Sequence, residues 1–194
     1  MKMKKSIIWI AVIAAIVLWG VKINNSMVSR QEAVSKAWSN VESQYQRRAD
    51  LIPNLVNTVK GYAEHESETL QNVVDARTRA TGITINAENL TEEQMKEFQK
   101  AQDEIGGALS RLIAIGEAYP DLKANENFKE LQSQLEGTEN RIAVERRNFN
   151  DTAADYNTYI RKFPNSMFAS VLGFDRKPYF EAEEGTEKAP VVEF

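Results

Sequence analysis

Between residues 27 and 81 the chain holds one proline, Pro53, and one glycine, Gly61, while its apolar side chains recur in alternating steps of three and four. Val34, Trp38, Val41, Tyr45, Ile52, Leu55, Val59, Tyr62, Leu70 and Val73 make up the series, which is interrupted at Arg48 and Glu66. That period gathers them on one stripe of a helix and would scatter them over both faces of a strand, so the segment predicts one long helix with a buried seam. Pro53 removes the amide that would donate to the carbonyl of Ala49, and a kink is expected there. The rival geometry is a full reversal at Pro53, but residues 49–54 contain no glycine and no cluster of turn residues.

Ahead of this rod lies an uncharged run, SIIWIAVIAAIVLWGV at residues 6–21, preceded by Lys2, Lys4 and Lys5 and closed by Lys22. As a helix it spans ~24 Å against a hydrocarbon core of ~30 Å; Ile23 extends it and Lys22 can snorkel. Trp9 and Trp19 stand near its two ends, where interface anchors belong, so the lipid bilayer is the first expected partner. A cleaved signal peptide begins in the same way, but GVKINNS offers no good small-x-small site after Trp19, and the run is read as an uncleaved single-pass anchor. The lysines before it place the N-terminus in the cytoplasm and the body outside. The expected organisation is a cytoplasmic end at 1–5, an anchor at 6–23, a helical stalk and bundle at 24–174 and an extended acidic tail at 175–194.

Residues 82–90, GITINAENL, read as a loop, and Thr91 with Gln94 forms a capping box for a second helix. Met95, Phe98, Ile105, Leu109, Leu112 and Tyr119 give its stripe, and Pro120 ends it. Gly106 and Gly107 weaken that helix by about 1 kcal/mol each relative to alanine, and close contact with a neighbouring helix is the expected reason for them. Asn125 can cap a third helix with a stripe at Phe128, Leu131, Leu135, Ile142, Phe149, Tyr156 and Ile160, running to Phe163-Pro164. The apolar NSMFASVLGF at 165–174 should cover one end of the bundle. Residues 181–194 carry five acids and one lysine and should be disordered. No strand pattern occurs, so the fold class is all-α: an antiparallel bundle of three to four long helices behind a membrane helix.

Lengths suggest how such a bundle assembles. A first helix over 27–81 is roughly 80 Å long and the second roughly 40 Å, so folding back from residue 82 brings the second only to the level of Leu55. Val34, Trp38, Val41 and Tyr45 then have no partner within the chain, and self-association through them, as a homo-oligomer, is expected. Folding the stalk back at Pro53 would bury the same residues within one chain.

The chemistry is sparse. Cysteine is absent and His65 is the only histidine, so thiolate sites, most zinc sites and a paired Glu-x-x-His site are excluded; residue 62 is Tyr where that last motif needs Glu. No phosphate-binding glycine loop occurs. No catalytic residue, metal ligand or cofactor is expected, and an enzyme is disfavoured; a ligand remains undefined. The body, residues 24–180, mixes 19 basic with 23 acidic groups, which argues against a nucleic-acid partner. Arg48 interrupts the first seam and Glu145 the third, so the two are expected to form a buried, register-setting ion pair. Asp50, Asn54 and Asn57, with Lys60, follow one another on a different face; solvation accounts for such a strip, and a contact surface is the functional alternative. The terminal VVEF offers a protein partner a free-carboxylate ligand of the kind that adds to a sheet edge.

Three blocks carry a family resemblance: AWSNVESQYQRRADLIPNLVNTVKGYAEHE at 37–66, LEGTENRIAVERRNFNDTAADYN at 135–157 and RKFPNSMFASVLGF at 161–174. With the ending from YFEA to PVVEF, they resemble the LemA family of bacterial membrane-anchored helical proteins. The resemblance implies an antiparallel helical bundle behind one N-terminal transmembrane helix in the bacterial inner membrane. It implies no established reaction.

Overall fold

A computed structural model describes residues 2–181, with the side chains of 9–181 other than Glu64. The expected tail disorder and the VVEF terminus fall on residues 182–194, outside the described residues. The regular secondary structure among the described residues is helical: α1 (Lys2–Lys60), α2 (Ser67–Thr81), α3 (Glu92–Ala118), a single turn α4 (Pro120–Ala124), α5 (Glu126–Arg161) and α6 (Asn165–Leu172).

α1 is a continuous rod of 59 residues, ~88 Å long. It passes through Pro53 without reversing, which excludes the folded-back stalk. The Ala49 carbonyl deprived by Pro53 accepts instead from Arg77 Nε on α2, at 2.9 Å.

The rod ends earlier than its periodicity predicts. At Gly61 the amides of Tyr62 and Ala63 both donate to the carbonyl of Val59, at 3.0 and 2.9 Å, and a 3-10 turn over Glu64–Glu66 sends α2 back along α1. The apolar series continues across this break because α1 and α2 bury their stripes in one core, so a local period does not register the reversal. The interruption at Glu66 marks the place.

α3 then runs parallel to α1, started by the predicted capping box: Gln94 N donates to Thr91 Oγ1 at 3.2 Å and Thr91 N to Gln94 Oε1 at 3.1 Å. Asn125 caps α5 by accepting from Phe128 N at 3.0 Å. Between them, Gly116 is needed for its size, since a Cβ there would lie 2.5 Å from the Phe128 ring.

α5, ~54 Å long over its 36 residues, returns antiparallel along α1. It pairs Arg48 with Glu139, sets Trp38 against Phe149 and places Arg30 over Tyr159. This overturns the length argument, which matched the stalk only to the second helix. Val34, Trp38, Val41 and Tyr45 are 1, 2, 0 and 5% exposed within a single chain, so the seam is no surface for self-association.

The chain itself supplies the remaining cover. Residues 174–181 run extended up the groove, and Phe180 stacks on Trp38 with ring centres 5.9 Å apart while Phe98 and Phe149 close the other sides. Part of the expected tail is therefore core. Three carboxamides hold this strap as a sheet edge would. Asn157 accepts from Lys177 N (2.8 Å) and donates to its carbonyl (2.8 Å), Asn150 does the same for Phe180 (2.8 and 3.0 Å), and Gln99 for Glu181 (3.3 and 2.9 Å).

Candidate functional site

Two apolar clusters fill the bundle. The lower, toward the N-terminus, centres on Trp38, Phe98, Phe149 and Phe180; the upper holds Ile52, Leu55, Leu112 and Phe128. Arg48 lies between them.

Its guanidinium donates from Nη1 to Glu139 Oε1 at 2.8 Å, and from Nη2 to the Gln102 carbonyl at 2.9 Å and Gln102 Oε1 at 2.6 Å. The arginine side chain is 4% exposed and the glutamate 47%, so one partner is desolvated and the other hydrated. Nε is buried without an acceptor. Glu145 is not the partner: half-buried, it accepts from Asn148 Nδ2 at 3.2 Å. The two glutamates lie on opposite flanks of the Ile142 stripe and six residues apart in height, and the α1–α5 packing puts Glu139 opposite Arg48. Gln102 falls between Phe98 and Ile105 in the α3 stripe as Arg48 does between Tyr45 and Ile52, and that interruption is the one sequence signal for it.

Beside this layer α3 and α5 part, leaving a groove of about 430 Å³ lined by Arg48, Gln102, Gly106, Gly107, Glu139 and Arg146. A Cβ on Gly106 or Gly107 would meet nothing within 4 Å. Close packing inside the chain is therefore not what keeps these residues small. Gly106→Ala and Gly107→Ala are each expected to raise stability by about 1 kcal/mol, read as a higher midpoint in chemical unfolding of the detergent-solubilised chain. Loss of stability would mean that the groove is closed.

The strip at Asp50, Asn54 and Asn57 is exposed as expected. Asn54 and Asn57 join Asn127, Glu130 and Gln134 of α5 along a shallow depression of about 440 Å³, while Asp50 accepts from Gln46 Nε2 at 2.8 Å and does not line it. His65 is exposed in the turn before α2, and the described residues contain no group of three or more potential metal ligands. Trp9, Trp19 and Lys22 are exposed on α1.

A third cavity, about 590 Å³, lies between the strap and the start of α3. Lys177 at its wall donates from Nζ to the Glu88 carbonyl, and burial lowers its pKa. Burial raises the phenols of Tyr45 and Tyr156, the latter to about 12. The Tyr156 hydroxyl has no partner. Its neutral form stabilises the fold fully below pH 10 and ceases to do so as pH rises toward about 12. Tyr156→Phe is expected to match or exceed the parent in stability at neutral pH and to flatten its alkaline loss between pH 10 and about 12, followed by circular dichroism.

These features define a class: among the described residues, an all-α bundle with one helix long and apolar enough to cross a membrane, built around a structural arginine layer and an open groove. The chain belongs to the LemA family, whose profile matches residues 37–194. Among curated relatives, the magnetosome protein MamQ 2 of Paramagnetospirillum magneticum is 30% identical over 185 residues, covering 87% of this chain and 68% of the relative. MamQ of Magnetospirillum gryphiswaldense shows the same identity and coverage. Protein LemA of Metamycoplasma hominis is 26% identical over 160 residues, covering 82% of this chain and 69% of that one.

Proposed function

We propose that this protein is a non-enzymatic scaffold anchored in the bacterial inner membrane by the start of α1, with its N-terminus cytoplasmic and its body extracytoplasmic, where it organises partners by self-association. The observation that carries the reading is the α3–α5 groove. Two helix-interior glycines, each with an empty shell, leave room for another helix to approach. The groove wall also carries Arg146 and, roughly two and three turns away on α5, Glu139 and Glu136, and charges of opposite sign at the two ends of one face suit a two-fold pairing of identical surfaces. Self-association is thus moved from the seam, which is filled, to this groove.

Disulfide trapping tests it, since the chain has no cysteine of its own. In membranes, Ser110→Cys on the groove should give a covalent dimer, whereas Val144→Cys on the outer face of α5 should not. A detergent-extracted chain of monomer mass at tens of micromolar, with no trapped dimer, would sink the self-association.

A second reading is an adaptor that presents partners to a membrane enzyme such as a protease through residues 182–194. Gln99 and Arg146 both bond to the Glu181 carbonyl, each at 2.9 Å, so the point from which that segment departs is held in place. Removing 182–194 should then abolish partner capture and leave assembly intact.

A further inference from the structure

We infer that α6 is a second membrane contact, an interfacial foot that rests in the bilayer surface beside α1. The inference depends on the reading of the start of α1 as a membrane span.

Its position comes from register. The antiparallel alignment that sets Glu139 by Arg48, Phe149 by Trp38 and Tyr159 under Arg30 continues past the end of α5. It places Phe168 edge-on against Trp19, with ring centres 6.1 Å apart. A Cβ on Gly20 would lie 3.4 Å from the same ring. α6 therefore sits at the height of the last residues of the uncharged run, where the body meets the headgroup region.

Its outer face is apolar. Ala169 is buried and Phe168 half-buried against α1, while Phe163, Met167 and Val171 point away at 81, 63 and 85% exposure. Met167 and Val171 stand four residues apart on α6 and are joined by Leu172 at 49%, while Phe163, in the turn just before the helix, adds a further exposed apolar side chain. A stripe of this kind is out of place in water but fits the boundary between headgroups and acyl chains. Charge agrees with that occupant. Residues 161–174 contain Arg161 and Lys162 and no acid, and Lys22 lies at the same level on α1, so the foot is cationic where it would meet anionic lipid.

Lipid-based quenching of the full chain decides the matter. Single cysteines at Val171, Ile13 and Val144, each labelled with an environment-sensitive fluorophore, are compared in vesicles of phosphatidylethanolamine and phosphatidylglycerol containing spin-labelled lipid. All three side chains are exposed, so the labels replace no core contact. The Val171 label is expected to be quenched by shallow spin labels several-fold more than the Val144 label and to be shielded from aqueous iodide, with the Ile13 label quenched by deep ones. Equal behaviour of Val171 and Val144 while Ile13 is quenched would overturn the foot and leave the anchor standing. An unquenched Ile13 label would remove the anchor and the foot together. Ready disulfide formation between unlabelled Val171→Cys chains, without lipid quenching, would assign the stripe to a second copy and overturn the lipid contact.

Discussion

Trp38→Ala is expected to lower the unfolding free energy by about 4 kcal/mol, a larger loss than any other single truncation in the bundle. The indole is 2% exposed and meets Phe98, Phe149 and Phe180 at ring separations of 5.2, 5.6 and 5.9 Å. It therefore joins α1 to α3, to α5 and to the strap at one point. Truncation leaves a cavity between elements from distant parts of the chain, and collapse around it is limited because α1 and α5 are also held apart by the layers above and below. Phe180→Ala should cost about 3 kcal/mol by the same mechanism, and the double replacement less than the sum, since the rings stack on one another. Far-UV circular dichroism in a denaturant series is the suitable probe, because the substitution removes a fluorophore. A shift of under about 1 kcal/mol for Trp38→Ala would mean that the strap and α5 do not close on α1 as described.

Replacing the members of the arginine layer separately should give unequal losses. Glu139→Leu leaves a buried guanidinium with only the neutral oxygens of Gln102, and about 3 kcal/mol is expected. Arg48→Met leaves a carboxylate that is half in water and can hydrate, so the cost falls mainly on the unpaired Gln102 side chain, about 2 kcal/mol. The double variant Arg48→Met with Glu139→Leu should cost less than the two added together while keeping the helical content and the cooperative transition. Strict additivity in that cycle would show that the 2.8 Å contact carries no coupling. Glu145→Gln serves as the internal control, since its carboxylate only accepts from Asn148, and its effect should stay within about 0.5 kcal/mol.

The misjudged positions share a cause. Gly61 is the single glycine in a strong apolar period, which by itself reads as unbroken helix, yet the reversal there turns the expected single helix into α1 and α2. Glu145 and Glu139 are both acids on α5 and flank the Ile142 stripe on opposite sides, and the stripe alone does not say which flank faces Arg48. The expected tail at 175–194 includes the strap, and DRKPYFE has no helical period to mark it as packed, although Phe180 is 6% exposed and belongs to the core. A clue to it was present in α5: Asn150 and Asn157 stand seven residues apart inside a helix, where asparagine is unfavourable, and both turn out to grip the strap. Arg48 was legible as a buried charge from its place in the seam, but Gln102 was not legible as its partner.

Sequence alone determined the all-helical class, the caps at Thr91 and Asn125, the apolar run at the N-terminus, the seam residues and the family. Each of these is set by residues within a few positions of one another, through the 3.6-residue repeat, end capping or local hydropathy. Only the tertiary structure decided what covers the seam, which glutamate meets Arg48, that the Gly106-Gly107 face is left open, and that α6 lies beside Trp19. Those depend on the axial offset between helices far apart in the chain, and that offset is selected by how their side chains interlock.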